Sequence, residues 1–328
     1  MVPGNEQDRA VTPAVALILL VAVVLILGTT IAVYFFGFTE KIGGPTAEAT
    51  FEYAESPVGI EMTAEQIAED VTVEINGKQV ASFDSSDAGQ SRLIPTSPGD
   101  QLTVISADGS RSVLVSRTID DRDRIGDFIA HYTFEEGDDS DILYDESGND
   151  NTGDLQGDPQ WTGGSLRFDG SNYVNVNDLS ADVDVSEFTI AATFTQESTG
   201  RTQQIVEHHG GGNEWYLEND EVTTNEYSPV YAINHGGGES LEDAGSYSTG
   251  ERRTLVGTYD GETFELYIDG TKIDSANGGD DVEMGKLVIG ADAPGGGSQR
   301  FDGEIHEIRL YHTAFDTQGI ESVSKVME

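Results

Sequence analysis

The chain begins with one long apolar run. Residues 14–38 contain no charged side chain. A helix over these residues rises 1.5 Å per residue, so it would be about 37 Å long, more than the ~30 Å hydrocarbon core of a bilayer. The run is apolar on all sides, which favours burial in lipid over an amphipathic position at its surface. We therefore predict a hydrophobic helix over 11–42 that crosses a membrane once through residues 14–38.

After this run the pattern changes to alternation of apolar and polar residues with period two, which indicates half-buried strands. Val71, Val73 and Ile75 alternate in this way, and Asn76-Gly77 follows them as a hairpin signal. The pattern predicts a small β-sandwich head over 43–119. The charged, unpatterned residues 120–125 are then expected to be a linker.

From residue 126 onward short alternating runs recur with tight-turn dipeptides between them. These dipeptides are Asp169-Gly170, Asp260-Gly261, Asp269-Gly270 and Asp302-Gly303. About 200 residues with this spacing predict one large sandwich over 126–328. A short helix over 316–326, with Asp316 as N-cap, is expected at its end. The predicted fold class is all-β with one N-terminal hydrophobic α-helix, a small β-sandwich and a large jelly-roll sandwich.

The charge is strongly negative. Lys and Arg number 17 against 60 Asp and Glu, a formal net charge of −43. Repulsion of this size destabilises a compact fold in dilute buffer, but the Debye length falls to about 3 Å in molar salt. We interpret the composition as a surface adapted to a very salty medium. It excludes nucleic acid as a partner, because basic patches are needed to neutralise phosphates. No cysteine is present, so the fold has no disulfides.

The residues ahead of the apolar run resemble the start of haloarchaeal type IV pilins. The sequence Asp8-Arg9-Ala10-Val11-Thr12-Pro13 leads directly into the predicted helix. In that family a prepilin peptidase removes a short charged leader, so the resemblance implies a leader over 1–10 and a cut between Ala10 and Val11. It also implies a filament built from copies of the chain. The alternative is an uncleaved membrane anchor, and in both cases the C-terminal bulk is expected outside the cell.

An ordered set of motifs in the second half resembles laminin-G-like, concanavalin A-like jelly-roll domains and covers nearly all of 128–325. The motifs are Ile129–Phe134, Asp145–Asn149, Leu166–Gly170, Phe188–Ile190, Gly257–Gly261, Leu266–Gly270 and Phe301–Tyr311. The resemblance implies a jelly roll. Many members of the family bind carbohydrates or protein ligands, often with a structural calcium ion.

The loop over 145–151 is the candidate calcium site that this resemblance implies. Asp145, Asn149 and Asn151 offer the hard oxygen ligands that Ca²⁺ takes. The family often completes the site from the C-terminal strand, where this chain has His306 in place of the usual Asp. The alternative is a turn whose carboxylate and amide groups hydrogen-bond their own backbone.

A sugar site combines an aromatic platform with fixed polar groups. Two glycine-rich runs, at 208–213 and 235–238, flank an aromatic pair, and we expect both to be rim loops. The candidate ligand-binding residues are Trp215, Tyr216, His209, Asn213 and His235. The alternative for Trp215 is a place in the core at the start of a strand.

The sequence lacks the motifs of two enzyme classes. Jelly-roll glycosidases place Glu, Asp and Glu on one strand face, and no Glu-x-Asp-x-Glu string is present. No Gly-x-Ser-x-Gly elbow accompanies the His-Gly-Gly-Gly runs, which argues against an esterase. We therefore expect a non-catalytic surface adhesion subunit. The alternatives are a structural envelope or minor pilus protein, and a membrane-anchored glycosidase of jelly-roll type.

The leader cut gives a direct test. If a prepilin peptidase processes the chain, intact mass and N-terminal peptide mass spectrometry of protein from its native membrane will show a mature start at Val11. A start at Met1 would contradict the pilin resemblance and leave the plain anchor.

Overall fold

The structure is a computed structural model, which describes residues 49–56, 59–96, 99–107, 112–119, 128–137, 140–176, 179, 184–209, 213–235, 239–242, 245–278, 282–295 and 297–327. The predicted leader, its cleavage site at Ala10 and Val11, the hydrophobic helix and the 120–125 linker lie outside these residues. Within the described part of the chain, no helix combines the length and the apolar character needed to cross a bilayer.

The first seven strands form a small head of two sheets. Their bounds are β1 Ala49–Ser56, β2 Gly59–Ile67, β3 Val71–Ile75, β4 Lys78–Phe83, β5 Ser91–Pro95, β6 Gln101–Ser106 and β7 Val113–Thr118. One sheet has the order β1-β2-β5 and the other β4-β3-β6-β7. Val71, Val73 and Ile75 are buried in the core between them, as their alternation predicts. Asn76 and Gly77 both have positive φ, 51° and 83°, which confirms the predicted tight hairpin turn.

The remaining strands form the large sandwich. Their bounds are β8 Phe128–Tyr132, β9 Ile142–Leu143, β10 Gly153–Gln156, β11 Gln160–Trp161, β12 Leu166–Asp169, β13 Tyr173–Val176, β14 Asp184–Val185, β15 Phe188–Gln196, β16 Gln203–His209, β17 Asn213–Thr223, β18 Glu226–His235, β19 Glu239–Glu242, β20 Tyr247–Ser248, β21 Arg252–Tyr259, β22 Thr263–Ile268, β23 Thr271–Asn277, β24 Val282–Glu283, β25 Lys286–Ile289 and β26 Asp302–Tyr311.

Two antiparallel sheets carry the core of this sandwich. The nine-stranded sheet has the order β19-β18-β17-β16-β25-β13-β10-β9, with β20 beside β18. The eight-stranded sheet has the order β11-β12-β26-β15-β21-β22-β23, with β8 beside β26. Aromatic and aliphatic side chains from both sheets fill the space between them. The predicted all-β sandwich architecture is confirmed.

The C-terminal helix α1, Thr317–Met327, closes one face of the sandwich. The Asp316 carboxylate accepts a hydrogen bond of 2.9 Å from the backbone N–H of Gly319, which confirms the predicted N-cap. Val323 is buried against the outer face of the eight-stranded sheet, and Leu93 of the head packs on the same cluster. Val326 packs against the core of the head. The helix therefore joins the head to the sandwich.

One predicted turn is wrong. Asp302-Gly303 begins β26 instead of connecting two strands. The glycine has a packing reason, because a Cβ at Gly303 would lie 2.1 Å from the carbonyl oxygen of Thr195 on β15. Asp269-Gly270, in contrast, is a turn with positive φ at both residues, 48° and 75°. An Asp-Gly dipeptide therefore allows two strands to lie close together at 302–303 and reverses the chain direction at 269–270.

A buried ion network lies between β8 and β26. The Glu307 carboxylate accepts a hydrogen bond of 2.6 Å from Nε of Arg309 and lies 2.9 Å from Nε2 of His131. Burial by itself raises the pKa of Glu307, but the adjacent Arg309 and His131 outweigh it and lower the pKa to about 2. The charged form of Glu307 is therefore stabilised by the fold.

We predict that Glu307→Gln lowers the free energy of unfolding by about 3 kcal/mol near pH 7, because it leaves Arg309 buried without its counter-ion. A depressed folded pKa gives stability that is present above the unfolded pKa of about 4.3 and is lost as the pH falls toward 2. The difference between wild type and variant in denaturant unfolding should therefore shrink from pH 5 to pH 2. Glu197→Gln, at the more exposed Arg167 pair, is the control and should cost less than about 1 kcal/mol. Equal losses in the two variants would contradict the prediction.

Candidate ligand-binding face

The two sheets of the large sandwich differ in what covers them. The outer face of the eight-stranded sheet carries helix α1 and receives Leu93 of the head. The nine-stranded sheet turns its outer face away from both. Partly exposed polar side chains lie on this second outer face, on strands β16 and β17.

Alternation along β17 sorts its side chains between core and surface. Trp215 and Leu217 point into the core. Glu214, Tyr216 and Glu218 therefore project from the opposite side. Pairing with β16 sets Glu207 opposite Tyr216, so His209, two residues further on, projects from the same side. We call this set, Glu207, His209, Glu214, Tyr216 and Glu218, the acidic face.

Glu207 is the most deeply placed carboxyl group of the acidic face. The residue is only 5% exposed. It pairs with Tyr216 of β17 on one side and with Val288 of β25 on the other. Burial, followed by repulsion from Glu214, Asp292 and Glu218, raises its pKa to about 9. At neutral pH this carboxyl group is therefore protonated and can both donate and accept a hydrogen bond.

Tyr216 lies at the centre of the acidic face and is half-buried. Burial first, and then the surrounding carboxylates led by Glu218, raise the pKa of its phenol to about 12. The hydroxyl group thus stays neutral and keeps its proton for donation. The ring and the carboxyl groups together provide an apolar surface bordered by hydrogen-bonding groups.

His209 lies at the edge of the acidic face. Its Nδ1 is 3.1 Å from Oε1 of Glu214 and 3.7 Å from Oε1 of Glu207. These three groups form one cluster, in which single ligand atoms lie within 4.8 Å of one another. The structure therefore brings the predicted residues Tyr216 and His209 to one surface and adds three carboxyl groups to them.

Trp215 does not form the exposed platform expected for a sugar site. The residue is fully buried, stacked on the ring of His208 with centroids 5.6 Å apart and packed against Phe188. This is the alternative placement, in the core at the start of a strand. The aromatic group available to a ligand is its neighbour Tyr216, because adjacent residues of a strand face opposite sides.

Asn213 and His235 are the other two candidates. Backbone pairing sets them opposite one another at the end of the β17/β18 ladder. Their side chains lie outside the described part of the structure. Of the two predicted rim runs, 208–213 and 235–238, residues 210–212 and 236–238 also lie outside it.

The candidate calcium loop is closed by its own hydrogen bonds. The Asp145 carboxylate accepts four of them: from the backbone N–H groups of His131, Ser147 and Asn151, at 2.9–3.0 Å, and from the Ser147 hydroxyl at 2.7 Å. A carboxylate has about four lone-pair positions, so these hydrogen bonds engage all of them in this structure.

The two amides of the loop are also engaged in backbone contacts. Asn149 donates to the carbonyl oxygen of Phe128, and Asn151 donates to that of Ile129. His306 contacts Thr195 through Nε2 at 3.0 Å. This geometry agrees with the self-bonded turn that the sequence leaves as the alternative to calcium ligation.

Sequence reasoning missed Glu207 as a member of the acidic face. Almost all side chains of β16 are buried, whichever side of the sheet they face. The sequence of this strand therefore shows no apolar–polar alternation that would indicate the side to which Glu207 points. Its i, i+2 spacing from His209 is the signal that could have found it, because such residues share a face.

Comparison with known proteins supports the fold. Residues 168–321 match the Laminin_G_3 family, described as the concanavalin A-like lectin/glucanases superfamily. No curated protein sequence matches the chain. Domain 4 of the extracellular GH43 arabinanase AbnA from Geobacillus stearothermophilus, in complex with arabinotriose, is similar at 17% identity and a TM-score of 0.51, over 61% of this chain and 98% of that one.

Two further solved structures are similar at lower scores. A botulinum neurotoxin type C structure, concerned with cell entry dependent on two ganglioside molecules, has 12% identity and a TM-score of 0.46, over 62% of this chain and 52% of that one. A heptameric SAP-like pentraxin from Limulus polyphemus has 13% identity and a TM-score of 0.42, over 49% of this chain and 81% of that one. The family match and the arabinanase domain together support a jelly-roll fold for the large sandwich.

We predict that Trp215→Ala lowers the free energy of unfolding by about 3–5 kcal/mol, because it opens a cavity in the core. Tyr216→Ala, the adjacent residue on the outer side, should cost about 1 kcal/mol or less. Denaturant titration followed by circular dichroism measures both. If Trp215→Ala proved as stable as Tyr216→Ala, the assignment of the two side chains to opposite sides would be wrong.

Proposed function

We propose that the chain is a cell-surface adhesion subunit that binds a carbohydrate on the acidic face. The observation that carries the proposal is the position of Tyr216. Its ring is partly exposed on the outer side of the sheet, with the carboxyl groups of Glu207, Glu214 and Glu218 on the same side. Sugars combine apolar ring faces with hydroxyl groups, so they fit an aromatic surface bordered by hydrogen-bond acceptors.

The charge of this face selects the class of carbohydrate. Several carboxyl groups surround the Tyr216 ring, and the whole chain has a net charge of −43. Sulfated, sialylated or uronate sugars would meet like charge, which is unfavourable at short range even where salt screens long-range repulsion. The preferred ligand is therefore a neutral or amino-bearing glycan.

The fold is compatible with this role. The arabinanase domain of the same fold was determined in complex with arabinotriose, a short neutral oligosaccharide. The likeness supports the fold alone, and the acidic face supplies the argument for this chain. A protein ligand with a basic surface is the other kind of partner that such a face would suit.

The N-terminal part of the proposal concerns display. Residues 14–38 would anchor the chain in the cell membrane by a single span and leave residues 43–328 outside. Cleavage between Ala10 and Val11 would allow copies of the helix to pack in a surface filament. A single small site binds weakly, and repetition along a filament raises the effective concentration of further sites.

Glycoside hydrolysis is a second candidate, and one observation favours it. Glu207 has a raised pKa and lies beside Glu214 in one cluster. A protonated and an ionised carboxyl group in proximity are the pair that glycosidases use. The adhesion proposal expects binding of a glycan without turnover, so release of reducing sugar separates the two.

We predict that the full-length chain binds a subset of neutral or amino glycans on an array in molar salt, and that Tyr216→Ala reduces this binding at least tenfold. The matched control is Tyr144→Ala. Tyr144 is 51% exposed and follows β9, five strands from β17, or about 24 Å away. Circular dichroism should show that both variants are folded.

Three outcomes would contradict the adhesion proposal. The first is the absence of binding to any glycan, and the second is equal loss of binding in the two tyrosine variants. The third is release of reducing sugar that depends on Glu207, which would replace adhesion with hydrolysis.

A further inference from the structure

Three metal-ligating side chains converge at the end of the acidic face. Glu207 and His209 stand two residues apart on β16, and Glu214 reaches them from β17. One ligand atom from each lies within 4.8 Å of the others. Two rigid, paired strands thus hold one imidazole and two carboxyl groups around a common point.

The hydrogen bonding of these groups is incomplete. The Nδ1 atom of His209 is buried and has no hydrogen-bond partner among the described residues. Glu207 is 5% exposed, and the described neighbours that act on its charge are carboxyl groups. Buried polar groups are almost always hydrogen-bonded, so the Nδ1 atom of His209, which faces the carboxyl groups of Glu207 and Glu214, needs an explanation, and a bound ion is one.

We propose that Glu207, His209 and Glu214 form a binding site for one divalent transition-metal ion of the Zn²⁺ class. Zinc takes imidazole nitrogen and carboxylate oxygen at about 2.0–2.2 Å in tetrahedral geometry, which places ligand atoms about 3.3–3.5 Å apart. Nδ1 of His209 lies 3.1 Å and 3.7 Å from the two carboxylate oxygens, on either side of that range. The two carboxylate oxygens lie within 4.8 Å of one another, so metal binding would draw them together.

The donor set decides the class of metal. Ca²⁺ takes six to eight oxygen ligands and Mg²⁺ an octahedron of oxygens, whereas one imidazole with two carboxylates suits Zn²⁺ and its first-row neighbours. Three protein ligands leave the fourth position for water or for a hydroxyl group of a ligand.

The surrounding charge also favours a cation. Glu214, Asp292 and Glu218 lie near enough to an ionised Glu207 to repel it, and no Lys or Arg of the described residues contributes to its electrostatic environment. A dication would offset this repulsion and give the Nδ1 atom of His209 a partner, and its binding would release to water the proton that Glu207 carries in the free chain. This inference goes beyond the carbohydrate proposal and does not depend on it.

The test is calorimetric titration of ZnCl₂ into the metal-stripped full-length chain, with a large excess of Mg²⁺ in molar NaCl. These conditions saturate the nonspecific carboxylate sites that a charge of −43 provides. We expect one Zn²⁺ per chain, and at least a tenfold weaker affinity in Glu207→Gln, His209→Ala and Glu214→Gln. Glu221→Gln is the control on β17, since Glu221 is exposed and lies outside the cluster.

A second readout reports geometry. Co²⁺ bound to the wild-type chain should give the intense visible absorption of a tetrahedral site, and His209→Ala should abolish it. His209 is 41% exposed at its side chain, so this variant is expected to fold, which circular dichroism checks. Zinc binding that Mg²⁺ displaces, or that is unchanged in folded His209→Ala, would overturn the proposal. No glycan is present, so this outcome is separate from failure of the adhesion proposal.

Discussion

Burial of helix α1 on one face of the large sandwich is the constraint on which the rest of the structure depends. Ile320, Val323 and Met327 lie in an apolar cluster with Val256 and Tyr267 of the eight-stranded sheet. Each such side chain contributes about 1.5–3 kcal/mol when it is fully buried. The same cluster takes in Leu93 of the head, so it both closes a sheet face and connects the two cores. Among the described elements, helix α1 does not lie on the acidic face of the other sheet.

The sequence predicted the elements better than the direction of their side chains. Alternation and Asn-Gly or Asp-Gly turns reveal strands, because both depend on neighbouring residues alone. Adjacent residues of a strand face opposite sides, so alternation alone separates Trp215 from Tyr216. Which of the two faces the core depends on how β17 packs in the sandwich, and no local pattern encodes that packing. The prediction grouped Trp215 with Tyr216, although the sheet separates them. Asp145 shows a different limit, since the composition of a loop does not reveal how many backbone N–H groups its carboxylate already accepts.

Two buried carboxyl groups show how neighbours decide the state of an acid. Glu307 and Glu207 are both largely removed from water, and burial alone raises the pKa of each. Glu307 has Arg309 and His131 as partners, so it remains ionised and stabilises the junction of β8 and β26. Glu207 has carboxylates around it and no basic partner among the described residues that act on its charge, so its neutral form is favoured. The chain has few basic residues. A buried acid that has a basic side chain beside it, such as Glu307, stays ionised and stabilises the fold, whereas a buried acid without one, such as Glu207, does not have this role.

The central claim, that one sheet face is closed and the other accessible, can be measured directly because the chain has no cysteine. Single cysteines would be placed at Ser324, which is 1% exposed on α1, and at Tyr216 on the acidic face, and the rate of thiol labelling would be followed in native protein. We predict that Tyr216→Cys labels rapidly and that Ser324→Cys labels only when denaturant unfolds the chain. Rapid native labelling at Ser324→Cys, or full protection at Tyr216→Cys, would contradict the account.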